Sequence, residues 1–238
     1  MLYVRLLALC LSILGYVLFL KKRYRIDLAF ASAITVLFII AVVFLGGILG
    51  ILQWAAYLLL ILGLALLIWM LLDKTPTGWK SILTNPALIF LTVSGIYLFL
   101  RFQNRVLYDY DDFSHWGLIV KSMLTNNSFP ASANSLLTFQ SYPPGSACWI
   151  YFVTLAVGNV EGVYLFAQAM LTLSCLASLF GYFGKRRWYD LVIPVAGAVL
   201  VYTHALDPNC LGVDVLLAAA GLASVLTIYR YRNRLTSH

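Results

Sequence analysis

Charge is what this chain has least of: 11% of its 238 residues are charged, whereas 62% are hydrophobic. That leaves too little polar side chain to coat a water-facing surface, so a soluble domain is excluded. Acid is scarcer than base, with nine Asp and Glu against sixteen Lys and Arg. The four cysteines form no CxxC pair and show no metal-type spacing. Cys10 and Cys175 lie within apolar runs. Cys148 and Cys210 fall near one predicted membrane face, which leaves a disulfide open beside the simpler reading of small core residues. Internal repeats and low-complexity tracts are missing, and no stretch is polar enough to make a separate soluble domain.

What the chain does have is apolar length. Runs at 2–20, 28–49, 50–72, 86–102, 162–184, 191–205 and 211–229 each predict a transmembrane helix, seven in all. The first resembles a signal-peptide core, but it has no small-x-small cleavage site and its basic cluster follows it, so it reads as a retained helix. GGILG, from Gly46 to Gly50, predicts a tight hairpin between two helices. An eighth run, 145–157, is shorter than a bilayer needs and predicts an interfacial or re-entrant helix. The fold class expected is therefore an all-α integral membrane protein with about seven spans, one large external loop and two short non-spanning helices.

The net charge of +7 does not point to nucleic acid, because the basic residues sit in short clusters beside apolar runs. These clusters are Lys21 to Arg25, Lys74 with Lys80, Lys185 to Arg187, and Arg230 to Arg234. If 145–157 does not cross, all four share one side, cytoplasmic by the positive-inside rule. The N-terminus is then outside, the C-terminus cytoplasmic, and residues 103–161 form the external loop. Residues 1–85 read as an N-terminal three-helix segment and 86–238 as the unit carrying the loop. Plasma membrane is the expected location.

A third of the acid is gathered at the start of that loop, in DYDDFSHWG, from Asp109 to Gly117. On a helical wheel of 111–125, Phe113, Trp116, Val120, Met123 and Leu124 share one side, while Asp111, Ser114, His115, Lys121 and Ser122 share the other. Leu118 breaks the pattern. An apolar face with a Trp, opposite a polar face, predicts a helix in the headgroup plane. Adjacent carboxylates near low dielectric resist ionising together, which suits proton abstraction or metal binding. The plainer reading is a solvated acidic loop marking an external face. QSYPPGSACW, from Gln140 to Trp149, predicts a rigid extended corner at Tyr142, Pro143 and Pro144 before the short apolar helix. In DPNCLGVDVLL, Asp214 is either an acid inside the last span or a residue near the external end of a helix that starts later.

Together these motifs are similar to the GT-C superfamily of membrane glycosyltransferases, which use polyprenyl-phosphate sugars, as the dolichyl-phosphate-mannose-protein mannosyltransferases do. The matching residues are YDDFSHW, the corner YPPG, the helix ending FGKRR, and the later external acid Asp214 in THALDPNCLGVDVLL. The resemblance runs from about Pro86 to the C-terminus. It implies a non-spanning juxtamembrane helix after the corner, a lipid-linked sugar donor and an acceptor hydroxyl. Members continue for several helices further, which implies an incomplete member or a second subunit supplying the rest. Departures are Tyr110 before the acid pair and Gly145 after the prolines.

Under that resemblance Asp111 is the expected general base, central on the polar face of the wheel. Asp112 would position the acceptor or, with Asp111, hold a divalent cation, for which oxygen ligands suit magnesium or manganese. Lys121 and His115 would neutralise the donor phosphate, with Tyr142 and Asp214 also lining the substrate site. Against this, Lys121 also reads as a snorkelling side chain and His115 as an ordinary interfacial residue. Arg101 and Arg105 read as interface anchors. Asn126, Asn127 and Ser128 spell a glycosylation sequon that matters only in a secretory pathway. The alternatives from other classes are a non-catalytic scaffold or partner subunit, and a transporter. The last is disfavoured because the first three runs hold almost no polar residues.

Overall fold

In a chain this apolar each backbone N–H and C=O has to be satisfied within the protein, and a helix does so inside one segment. The computed structural model describes residues 1–73, 78–130, 137, 142, 144–183, 191–200 and 210–235. Among these, the elements are α1 (Leu2–Tyr24), α2 (Leu28–Ile48), α3 (Leu52–Leu72), α4 (Trp79–Leu83), α5 (Pro86–Phe102), a π-helical turn (Asp112–Trp116), α6 (Gly117–Asn126), α7 (Gly145–Val157), α8 (Glu161–Leu176), α9 (Ser178–Phe183), α10 (Val192–Leu200) and α11 (Asp214–Leu235), with no strand. Five segments are long and apolar enough to cross a membrane: Leu2–Tyr24, Leu28–Ile48, Leu52–Leu72, Glu161–Tyr182 and Asp214–Asn233. The protein is multi-pass by length and composition. The other two expected spans correspond to α5, of seventeen residues, and α10, of nine. Pro143, Lys74, residues 185–187 and residues 204–207 lie outside the described residues.

Local chemistry sets the helix ends. Lys21, Lys22 and Arg23 occupy the last turn of α1, where cations complement the helix dipole. Arg25 closes α1 in the left-handed conformation, φ 53°, its N–H donating to Leu20 O. Asp27 caps α2 by accepting the Ala29 N–H at 3.1 Å. Asn85 caps α5 in the same way, with Pro86 in the first turn. The GGILG hairpin forms as expected, with Gly50 at φ 72°.

α1 and α3 run parallel and touch through backbone. Gly15 and Gly63 leave no room for a Cβ between the helices. Ser12 Oγ donates to Leu60 O at 2.9 Å and Tyr16 OH to Leu59 O at 2.7 Å. Small residues plus interhelical hydrogen bonds are how helices associate where lipid removes the hydrophobic drive. α2 packs on α1 and α3 and also on α7, α8 and α9. One apolar cluster therefore runs from Leu9 to Ala223, across the boundary drawn at residue 85.

The bundle has two chemically distinct ends. At one, Lys22 pairs with Asp73 at 2.6 Å, and Tyr231 near the end of α11 meets Asp27. This basic end brings together the clusters at 21–25 and 230–232. At the other lie the end of α5, the acidic segment, the start of α8 and the start of α11, joined by Leu107 to Glu161 and by Asp112 to Leu211.

α7 is internal. Its thirteen residues have the predicted bounds, span about 20 Å, and none of them is exposed. A helix lying on the outside of the bundle would leave one face open, so α7 is enclosed by the other helices. α7 begins beside Ile40, in the middle of α2, and ends beside Leu2. Gly158, at φ 145°, turns the chain into α8, and Trp149 Nε1 donates back to Ala167 O at 2.8 Å.

Candidate functional site

The acidic segment is anchored by a residue that the sequence reading passed over. Glu161, the first residue of α8, accepts the Leu107 N–H through Oε2 at 2.8 Å and the Lys121 ammonium through Oε1. It thus ties the entry to the acidic segment and its exit helix to one point. Gly162 lies directly against the Phe102 and Arg105 carbonyls, with no space for a side chain. The available signal was Glu161 itself, one of only nine acids, opening an apolar run at the end of the long loop. Lys121, expected to face a donor phosphate, has its ammonium paired with Glu161.

Asp109 starts the local structure by accepting the Asp111 N–H at 2.9 Å. The next turn is π-helical, and the Gly117 N–H reaches back to Asp112 O. One extra residue in the turn shifts later positions by roughly one helical step, about 100°. The expected wheel is therefore rotated over the acid motif. Phe113, assigned to the apolar face, is 56% exposed, while Asp112 and His115 are 1% and 2% exposed. Downstream, Val120 and Met123 are buried as expected. Gly117 makes the turn fit, since a Cβ there would sit 2.5 Å from Leu107 Cδ1 and 2.8 Å from Asp112 O.

The two adjacent aspartates have different environments. Asp111 is exposed. Asp112 points inward, and its Oδ1 accepts the Leu211 N–H at 2.9 Å. Gln168 of α8 holds the same stretch from the other side, donating through Nε2 to Leu211 O at 3.2 Å and to Gly212 O at 2.9 Å. Buried backbone groups need such partners. Asp214 follows as the exposed first residue of α11, so of its two readings the helix-start one holds.

Tyr142 of the corner packs on the acid motif. Its ring is stacked with Trp116 at 5.8 Å, and both meet His115 edge-on, at 5.3 Å for Tyr142 and 4.5 Å for Trp116. Burial pushes the His115 pKa below its ordinary value, and the Asp111 charge opposes this only in part. His115 is thus neutral at neutral pH and offers a hydrogen bond where the phosphate-neutralising role needed a cation. With one aspartate exposed and its neighbour buried, Asp111 and Asp112 do not present a shared ligand face. Among the described residues no three His, Cys, Asp or Glu side chains gather as metal ligands. None of Cys10, Cys148, Cys175 and Cys210 is in a disulfide, so the Cys148–Cys210 bridge is not formed.

The three stretches singled out by the sequence, the acid motif, the Tyr142 corner and the start of the last helix, are thus joined at one end of the bundle. Comparison with family models, curated proteins and solved structures gives no match for this chain.

Proposed function

We propose that the chain is a membrane glycosyltransferase of the GT-C kind, moving a sugar from a polyprenyl-phosphate donor to an acceptor hydroxyl at the outer membrane face. The observation that carries this reading is the convergence just described, through Asp112 to Leu211 and through His115 and Trp116 to Tyr142. An exposed carboxylate beside a semi-buried aromatic cluster is suited to receive a polar ring and take a proton from it.

In this reading Asp111 is the general base. It takes the acceptor proton as the acceptor oxygen attacks the anomeric carbon, and the bond to the lipid phosphate breaks with its electron pair leaving on the phosphate oxygen. Asp112 and Gln168 hold the 211–212 segment, Tyr142 borders the sugar, Asp214 lies at the rim, and Lys121 fastens α6 through Glu161. Magnesium or manganese is given no step, because the aspartates do not share a face. The proposed topology has seven crossings, the five long helices together with the expected runs at 86–102 and 191–205. The N-terminus is then outside, the C-terminus cytoplasmic, and the plasma membrane the host.

The test is transfer from a polyprenyl-phosphate sugar by an Asp111→Asn variant. Activity should fall about a hundredfold or more with unchanged folding. Full activity in that variant would remove Asp111 from the mechanism, and a copurifying transferase would favour the scaffold alternative.

A further inference from the structure

The opposite end of the bundle brings together two basic clusters that are far apart in sequence. The Asp27 N–H donates to Tyr231 OH at 2.8 Å, and the Phe30 and Tyr231 rings meet edge to face at 5.7 Å. This fastens the α1–α2 turn, with Arg23 and Arg25, to the end of α11, with Arg230 and Arg232. All four arginines are exposed. Among the described residues at this end, Asp27 caps α2 and Asp73 pairs with Lys22. Arg232 is held 4.3 Å over the Tyr229 ring, which keeps a guanidinium at the level where the helix leaves its apolar stretch.

Just above that level the outer face of α11 is apolar. Val225 and Ile228 are 64% and 60% exposed, and Tyr182 lies against Tyr229. A ligand for this corner needs an anion at the arginines and hydrocarbon along α11. We propose that it binds the headgroup phosphate of an anionic phospholipid, whose acyl chains lie on the Val225 and Ile228 face. A soluble phosphate meets only half of that description. The site is at the far end from the acid motif and is independent of the transferase reading.

The full chain in nanodiscs of phosphatidylcholine, with and without phosphatidylglycerol, tests this. Thermal stability should rise with the phosphatidylglycerol fraction, saturate, and weaken with salt. An Arg230→Gln/Arg232→Gln double variant should lose roughly thirtyfold in phosphatidylglycerol preference, as two charges at the surface predict. Lys80→Gln, at the same end but outside the junction, should keep it. Native mass spectrometry gives a second reading, with phosphatidylglycerol retained over phosphatidylcholine by the wild type and not by the double variant. Three results would overturn the proposal: an undiminished preference in the double variant, an equal loss in Lys80→Gln, which would indicate a diffuse field, or equal stabilisation by inorganic phosphate in phosphatidylcholine discs.

Discussion

Asp112 and Leu211, ninety-nine residues apart, are joined by a buried hydrogen bond of 2.9 Å from the Leu211 N–H to the Asp112 carboxylate. It crosses from the acid motif to the lead-in of the last helix. With Gln168 on the other side of Leu211, it makes the position of α11 depend on the acid motif.

Replacing Asp112 separates a structural acceptor from a chemical acid. Asn keeps an oxygen for the Leu211 N–H, whereas Ala leaves that amide buried and unmet, at a cost of about 1–3 kcal/mol. Hydrogen exchange at the Leu211 amide should stay slow in Asp112→Asn and become fast in Asp112→Ala. Fast exchange in both variants would show that the charge itself is needed.

Gly117 is required by the π turn. Gly117→Ala drives a methyl group into Leu107 and the Asp112 carbonyl and should destabilise by about 1–3 kcal/mol. Gly221→Ala in α11, where nothing lies within 4 Å of the added carbon, should be neutral or stabilising by up to about 1 kcal/mol. Thermal unfolding in detergent reads both, and equal behaviour of the two variants would contradict the close packing at Gly117.

His115 predicts an acid limb in stability. Its pKa in the folded protein is lowered, chiefly by burial, so the unfolded chain binds its proton more readily. The contribution is complete above the unfolded value of about 6.5 and is lost as pH falls through the lower folded value. The melting temperature measured from pH 8 to pH 5 should decline on the acid side, less steeply in His115→Gln. An unchanged decline in that variant would assign the limb to other groups.

The parts legible in the sequence were those decided by neighbours along the chain. The long apolar runs, the turn at Gly50, the bounds of α7 and a helix after the acid motif all follow from composition and local backbone preference. The orientation of the acid motif did not, because a wheel assumes one constant rotation per residue. The π turn breaks that constancy, exchanging Phe113 for His115 on the buried side. Gly117 inside a helical run was the trace it left, yet the reason for the glycine is Leu107, ten residues earlier. Glu161 was missed because its two partners, Leu107 and Lys121, lie in other segments.

The amino-acid order alone determined that the chain belongs in a membrane, as helices, with its acid gathered in one loop and its base in short clusters. These are consequences of side-chain solubility, which each segment carries by itself. Which aspartate faces water, what Lys121 pairs with, how deeply α7 is enclosed and which basic clusters meet were decided only by tertiary packing. Each of those depends on the distance between residues tens to hundreds of positions apart, and no local preference encodes that distance.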